Sequence, residues 1–197
     1  MASSVRTRVA RRPMRSFLSA ADVPGPRRAV ESELSRLAAV GELARVRKGL
    51  YWKGPKTQLG VAPPRPLAVA LRVAGPGSGP AGFTATAVLG LTTQVPATLE
   101  VAVPGKAPVP PPGVRFTQRD ISRRDLKLTS DEVAVLEVLR DWPATVEVDW
   151  AMLASSVRAL VERHAVRIDR VGREVQVEHR RSARAAWDRL YPLVVSS

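Results

Sequence analysis

The sequence predicts an α+β protein with an N-terminal winged helix-turn-helix, a mixed α/β middle segment and a helical C-terminal part. A helical run followed by a basic hairpin opens the chain, short strand-like runs broken by glycine and proline fill its middle, and helical apolar spacing returns towards the C-terminus. We expect a winged-helix domain over residues 1–60 and an α+β domain over 61–197. The second domain should be mixed over 61–128 and helical over 129–197.

Positive charge is concentrated near the N-terminus. The 197 residues carry a formal net charge of +13, and residues 1–60 alone hold 13 Lys and Arg against 4 Asp and Glu. Residues 129–197 are almost neutral, with 10 Lys and Arg against 11 Asp and Glu. A net charge of this size indicates a polyanionic partner, nucleic acid first and an acidic membrane surface second. We therefore expect that partner to bind the first third of the chain.

Composition excludes several classes of protein. The chain has no cysteine, which excludes disulfides and thiolate metal sites. No apolar run approaches the roughly 20 residues that span a bilayer, so we expect no membrane partner. The N-terminal MASSVRTRVARRPMRS lacks the apolar region of a secretory signal, and we assign it a structural role although its Arg and Ser content resembles a transit peptide. We expect a bacterial cytoplasmic protein that associates with the nucleoid through DNA.

Two short helices are predicted at the start of the chain. Val5 and Val9 mark a basic helix that ends near Pro13. Ser19 can cap a second helix, SAADV, which the Pro-Gly-Pro of residues 24–26 stops. Together they form the first part of a three-helix unit.

A third helix is predicted from about Arg27 to Val40. Val30, Leu34 and Leu37 recur at i, i+4 and i+7 on one face, and Gly41 supplies the stop. If that face points inward, residues 100–200° away around the helix point outward. The candidates for reading base edges are Arg28, Glu31, Ser32 and Ser35.

A basic hairpin follows the third helix. The strand-like runs LARVR and LYWK are separated by Lys48 and Gly49, and the glycine allows a positive φ in the turn. In a winged helix the third helix enters the major groove and the hairpin reaches phosphates or the adjacent minor groove. Strand alternation sends one of Tyr51 and Trp52 to the core and leaves the other free to stack on bases. The candidate phosphate contacts are Arg27, Arg36, Arg45, Arg47, Lys48 and Lys53.

The middle segment spells a dinucleotide-binding fingerprint. Residues 77–82 read G-x-G-x-x-G, and Glu100 lies 18 residues after the last glycine. Pro80 removes one amide inside the motif, and the proline-rich run at 104–113 leaves no further βαβ unit. We favour instead a loop of small residues that caps a helix beginning near Phe83, with no nucleotide cofactor.

No other pattern in the chain indicates catalysis. His164 and His179 are 15 residues apart without a ligand pattern, so we expect no metal. Asp120 and Asp125 lie among arginines, where ion pairing is favoured over acid–base chemistry. The serines lie in no nucleophile motif, and a phosphate-binding loop is missing. The sequence predicts neither an enzyme nor a bound cofactor.

The C-terminal part is predicted to be a helical bundle. Thr129 and Glu132 have capping-box spacing and open a helix that Pro143 ends. Two further helices are predicted in DWAMLASSVRALVER and RSARAAWDRLYPLV, and VRIDRVGREVQVEH between them fits a helix or a strand, of which we favour the helix. The nearly neutral bundle suits packing or protein contact better than phosphate binding, and its apolar stripes favour core packing.

Three blocks in this order resemble the AbiEi-type antitoxins. The segment AVESELSRLAAVGELARVRKGLYW is similar to their winged-helix N-terminus, in which a third helix ending L-x-x-L-x-x-x-G precedes a basic strand and an R-x-G-x-Y wing. ATAVLGLTTQVPATLEV resembles their small-residue helix with its Gly-Leu-Thr-Thr-Gln-Val-Pro continuation, and SDEVAVLEVL resembles the third block. The similarity spans roughly residues 5–140. The matching residues of the first block are Leu34, Leu37, Gly41, Arg47, Gly49 and Tyr51.

The resemblance implies a bacterial antitoxin that represses its own operon. Its winged helix would bind repeated or inverted sites on double-stranded promoter DNA, and its partner would be a nucleotidyltransferase toxin of the AbiEii type. A protein-interaction module that neutralises a partner by direct contact, and a generic winged-helix regulator, are the alternatives. The DNA contacts implied by position are Arg27, Arg28 and Ser32 in the third helix and Arg47, Lys48 and Lys53 in the wing.

Overall fold

The computed structural model describes residues 4–195. The chain divides into two compact units, Met1–Val69 and Ala70–Ser197. Helices and short strands are mixed along the chain, and its last third is helical. These features confirm the α+β class and the helical C-terminal part.

The N-terminal unit has two helices and a three-stranded antiparallel sheet. The elements are α1 (Val5–Ala10), β1 (Ser16–Leu18), α2 (Arg27–Ala39), β2 (Ala44–Arg47), β3 (Leu50–Lys53), β4 (Lys56–Thr57) and β5 (Gly60–Val61), and α3 (Pro66–Ala74) crosses the boundary between the units. The strand order is β1-β3-β2, and β4 and β5 form a separate small hairpin.

Helix α2 forms because its apolar residues recur on one face. Val30, Leu34 and Leu37 are at most 1% exposed and lie in the core of the unit. Gly41 follows the helix with a φ of +70°, a conformation that glycine adopts without steric cost. The predicted third helix and its stop are confirmed. The core residues are Val9, Leu18, Val23, Val30, Leu34, Leu37, Leu43 and Tyr51.

The second predicted helix is wrong. The Asp22 carboxylate accepts the backbone N–H of Ser19 at 2.8 Å as well as its hydroxyl, which closes a turn. Pro24 also disfavours helical backbone at Val23. Residues 19–23 therefore form a turn, and the chain before them forms β1, a strand that was not predicted.

The C-terminal unit is built around one buried helix, α6. All residues from Glu132 to Leu139 in this helix are buried, and it packs against α4, α8, α9 and β6. In the sheet β6 is antiparallel to β7, and β7 is parallel to β8. The elements are β6 (Gly79–Pro80), α4 (Gly82–Val88), β7 (Leu99–Pro104), β8 (Val114–Arg119), α5 (Ser122–Asp125), α6 (Ser130–Asp141), α7 (Trp150–Glu162), α8 (Ile168–Val177) and α9 (Arg181–Val195).

Local signals in the helical part act as predicted. The Thr129 hydroxyl accepts the N–H of Glu132 at 3.2 Å, and the Glu132 carboxylate accepts the N–H of Thr129 at 2.8 Å, so the capping box is complete. The ambiguous segment after residue 165 is helical as α8. Its helical assignment is therefore confirmed.

The glycine pattern at residues 77–82 allows close packing. A Cβ at Gly77 would lie 2.8 Å from the backbone of α5, and one at Gly79 would lie 2.7 Å from the Ser130 carbonyl oxygen. At Gly82, with a φ of +50°, the carboxylate of Glu100 fills the space that a Cβ would take. A ligand phosphate at the start of α4 would meet this carboxylate, so the fingerprint residues do not fit a pyrophosphate.

A buried cluster of arginines and glutamates joins β8, α5, α6 and α8. The guanidinium of Arg123, which is 1% exposed, donates to Glu137 at 2.7 Å and to Glu178 at 3.2 Å, and lies 3.5 Å from a carboxylate oxygen of Glu174. Arg119 donates to both oxygens of Glu137 at 2.8 and 2.6 Å. Because a buried charge without a partner is costly, these pairs hold the four elements together.

Burial and ion pairing act in opposite directions on the carboxyl groups of this cluster. Burial opposes ionisation of Glu137, but hydrogen bonds from Arg119 and the charge of Arg123 outweigh it, so the pKa of Glu137 lies below its usual value. At Glu174 burial outweighs the hydrogen bond from Ser122 and the charge of Arg123, and the pKa is raised. Of these two carboxyl groups beside Arg123, Glu137 is therefore the one that stays ionised.

The sequence assigned ion pairing in this region to the wrong acids. Asp120 and Asp125 are exposed, and within residues 4–195 neither lies within ion-pair distance of an arginine or lysine. Asp120 instead accepts the backbone N–H of Ser122 at 2.9 Å, which lowers the pKa of Asp120. Of the two arginines between these acids, Arg123 pairs with glutamates that are distant in the chain, and Arg124 donates to the Pro104 carbonyl at 2.9 Å.

We expect Arg123→Leu to lower the free energy of unfolding of this unit by about 3–5 kcal/mol, because the buried Glu137 carboxylate loses a partner. Urea unfolding followed by tryptophan fluorescence measures the change, since Trp142, Trp150 and Trp187 all lie in this unit.

Arg173→Leu is the matched control for that variant. Arg173 pairs with Asp169 at 2.7 Å on the surface of α8, where the two side chains are 61% and 67% exposed. An exposed pair of this kind contributes about 1 kcal/mol or less. Equal losses in the two variants would contradict a special role for the buried cluster.

Candidate nucleic-acid interface

The outward face of α2 carries the predicted base-reading residues. Arg28, Glu31, Ser32 and Ser35 are all exposed, because the apolar seam of the helix points into the core. Among the described residues, no ion pair involves Arg28. Pro26 is the N-cap of α2 and provides no capping side chain for the first amides of the helix.

Two of the predicted phosphate contacts on α2 are paired within the helix. Arg27 donates to Glu31 at 2.8 Å. Arg36 donates to both oxygens of Glu33 at 2.9 and 2.6 Å, and this hydrogen bonding lowers the pKa of Glu33. Arg27 and Arg36 must therefore leave a glutamate before either can contact DNA fully.

The hairpin of β2 and β3 presents three cations. Arg45 and Arg47 are exposed, whereas the alternate residues of β2 are partly buried. Lys48 lies in the turn beside Gly49, whose φ is +75°. None of the three cations lies within ion-pair distance of a carboxylate in the described part of the chain. The predicted turn is confirmed, and its charges are free.

The Lys53 side chain is bound within the N-terminal unit. Its ammonium donates to the carbonyl oxygens of Val9 at 3.2 Å, Ala10 at 2.6 Å and Arg12 at 2.7 Å, at the C-terminal end of α1. An ammonium has three N–H donors, and all three are used here. These contacts argue against the phosphate contact that the sequence predicts for Lys53.

Both aromatic residues of β3 are structural. Tyr51 and Trp52 are 6% and 8% exposed, although strand alternation predicted that one would be free. Tyr51 lies in the core, while the Trp52 ring packs on Phe17 of β1 at 4.8 Å between centroids and its Nε1 donates to the carbonyl of Ala62 at 3.0 Å. The unpredicted strand β1 pairs with β3 in the sheet and places Phe17 directly opposite Trp52, so neither Tyr51 nor Trp52 is free to stack on a base.

A cleft of about 520 Å³ lies between α2, the hairpin and the turn at residues 19–21. Four of the predicted DNA-binding residues line it, and they come from two elements. The turn forms the third wall of the cleft. The sequence analysis missed this wall because it assigns residues 19–23 to a helix. The four lining residues are Arg27, Glu31, Arg45 and Lys48.

The described residues show neither a metal site nor a bilayer span. Within residues 4–195, no group of three or more His, Asp or Glu side chains could hold a metal ion. In the same range, no helix is both long and apolar enough to cross a membrane. His164 and His179 are both exposed.

Comparison with known proteins gives distant structural similarity and no match to a family. No family model matches the chain, and no curated protein matches it either. Among solved structures, the crystal structure of the RV2827C protein from Mycobacterium tuberculosis is similar with a TM-score of 0.45 and 18% sequence identity, covering 98% of this chain and 75% of that chain. This similarity is too low to transfer a fold or a function.

We expect Lys53→Met to lower the free energy of unfolding of the N-terminal unit by about 1–3 kcal/mol, because three carbonyl oxygens lose their donor. Lys48→Met is the matched control and should change that free energy by less than about 0.5 kcal/mol, since Lys48 is exposed. Thermal unfolding followed by circular dichroism measures both. A neutral Lys53→Met would show that its ammonium does not stabilise α1.

Proposed function

We propose that this protein is a DNA-binding antitoxin that represses its own operon through an N-terminal winged helix and counters a nucleotidyltransferase toxin. One observation carries the DNA-binding part. Four exposed cations around α2 and the hairpin have no carboxylate partner among the described residues, while the nearby acids Glu31, Glu33 and Glu42 each bind a different arginine. The four free cations are Arg28, Arg45, Arg47 and Lys48.

The order of elements supports a winged helix. A strand precedes α2, and a hairpin follows it, with β1 and β2 on either side of β3. Helix α2 has 13 residues and is therefore about 20 Å long, enough to lie across a major groove about 12 Å wide. The turn at residues 19–23 stands where the usual second helix would be.

Base reading and phosphate contact fall to different elements in this proposal. Arg28 suits a guanine, whose O6 and N7 accept a bidentate pair, and Ser32 can bond to any base edge. Arg45, Arg47 and Lys48 neutralise phosphates, which positions the protein without reading sequence. Affinity therefore depends on the hairpin and preference on α2.

The full-length protein should bind duplex DNA with an affinity that falls steeply with salt. Lys48→Ala should reduce the slope of log K against log salt by about 0.9 and weaken all sequences similarly, because one phosphate contact is lost. Fluorescence anisotropy with a labelled duplex from its own upstream region, and with a random duplex, measures the slope. Lys106→Ala, an exposed lysine of the other unit, is the control and should leave the slope unchanged.

Arg28→Ala tests the reading role in the same assay. It should reduce the preference for the upstream duplex over the random duplex by about 1–3 kcal/mol. If Arg28→Ala and Lys48→Ala lose the same affinity on both duplexes, the division between reading and positioning residues is wrong.

The antitoxin part of the proposal rests on the resemblance to the AbiEi family. In that resemblance the Gly-Leu-Thr-Thr-Gln-Val-Pro block has an architectural role, and the contacts support this: Glu147 accepts the backbone N–H of Thr93 at 3.2 Å and the side-chain amide of Gln94 at 2.6 Å. Leu91 of the same block is fully buried. Leu91 and the contacts to Glu147 therefore support an architectural role for the block in the C-terminal unit.

Growth measurements test this part. Expression of a nucleotidyltransferase encoded beside this gene should arrest growth, and co-expression of the full-length chain from an unrelated promoter should restore it. Lys48→Ala should still restore growth if the toxin is countered by contact and not by repression. Persistent arrest with a soluble, DNA-binding chain would exclude the antitoxin role and leave a generic regulator.

A further inference from the structure

The cleft between α2 and the hairpin contains one acid among its lining residues, Glu31. Its Oε1 accepts the Arg27 Nε–H at 2.8 Å, and the two side chains are 49% and 85% exposed. This bond raises the pKa of Arg27. Glu33, two positions further along α2, faces Arg36 and lies outside the cleft.

A carboxylate at this place opposes simple phosphate binding. It is repelled by the DNA backbone, and it occupies the guanidinium that stands nearest to the start of α2. A surface selected only for affinity would leave Arg27 free. Attraction to DNA phosphates therefore does not explain why the Arg27–Glu31 pair lies in the cleft.

The position of Glu31 suits base readout. In helix-turn-helix proteins the N-terminal residues of the recognition helix contact base edges, and Glu31 is the fifth residue of α2. In the major groove guanine offers only acceptors and thymine offers an acceptor and a methyl group, so both repel a carboxylate or leave it unpaired. Adenine has the N6 amino donor, but its N7 acceptor lies beside it and repels a carboxylate. Cytosine offers only the N4 amino donor, which pairs with a carboxylate.

We infer that Glu31 determines sequence specificity through its pair with Arg27. On non-cognate DNA the Glu31 carboxylate keeps the Arg27 guanidinium away from phosphates. At the cognate site a cytosine amino group takes the place of Arg27 at the carboxylate, and Arg27 is released. The released guanidinium then contacts a neighbouring phosphate. This inference rests on the proposed DNA-binding function. It assigns Glu31 two effects at once, weaker binding to random DNA and preference for cytosine at one position.

Glu31→Gln and Glu33→Gln form a matched pair for the test. Each removes one negative charge from α2 and breaks one glutamate–arginine pair, but only Glu31 lines the cleft. The probes are a short labelled duplex of random sequence and a randomised duplex pool from which bound molecules are sequenced. Melting temperatures of the full-length variants are recorded alongside.

Glu31→Gln should bind the random duplex roughly five- to tenfold more tightly, with the salt slope about 0.9 steeper, because Arg27 gains a phosphate. Sequences selected by this variant should lose the cytosine preference at one position, since the glutamine amide presents both a donor and an acceptor. Glu33→Gln should keep that preference. The Arg36 that it frees lies outside the cleft, so this inference assigns Arg36 no phosphate, and the affinity should change by less than about twofold. Arg27→Gln should leave the random-duplex affinity almost unchanged and weaken the selected sequence.

Four outcomes would overturn the inference. Equal tightening in Glu31→Gln and Glu33→Gln would reduce the effect to overall charge. Weaker binding to every sequence together with a lower melting temperature in Glu31→Gln would make the pair structural. If the wild-type chain binds both probes without salt dependence, the proposed function fails together with the inference. If wild-type binding depends on salt but both variants bind as the wild-type chain does, only the inference about Glu31 fails.

Discussion

Carboxylates decide which arginines of this protein are available to a partner. In the N-terminal unit three glutamates each hold one arginine at the surface, whereas Arg28, Arg45, Arg47 and Lys48 have no carboxylate partner among the described residues. In the C-terminal unit Glu137 lies in the interior and binds Arg119 and Arg123. Arginine therefore supplies surface charge in the N-terminal unit and joins buried elements in the C-terminal unit. Which of the two roles an arginine has depends on the position of the nearest glutamate.

A further buried carboxylate, that of Glu132, connects a local cap with a distant part of the chain. Glu132 closes the capping box with Thr129 at the start of α6, and it also accepts the backbone N–H of Arg167 at 2.8 Å and the guanidinium of the same residue at 2.6 and 2.7 Å. Arg167 is the N-cap of α8. A single buried side chain thus starts the central helix and ties the beginning of a second helix to it, which gives α6 its fixed place in the unit.

Features that depend on neighbours in the chain could be predicted from the sequence, and features that depend on distant partners could not. The apolar spacing of α2, the turn at Gly49 and the capping box at Thr129 are local signals, and the structure contains all three. The burial of Trp52 depends on β1, more than thirty residues earlier, and the second predicted helix failed because the Asp22 carboxylate closes a turn. In the candidate interface, exposure was predictable from helical geometry, whereas the glutamate that holds each arginine depends on rotamers that spacing alone leaves open.

Lys53 links strand β3 to helix α1 in the N-terminal unit. Its ammonium joins β3 to carbonyl groups more than forty residues earlier. Helix α1 has six residues, fewer than an isolated helix needs to persist in water, and its C-terminal carbonyls find this donor only after β3 has formed. The chain must therefore close a loop of more than forty residues before its first helix is complete, which makes the order of the N-terminal segment a late and cooperative event in folding.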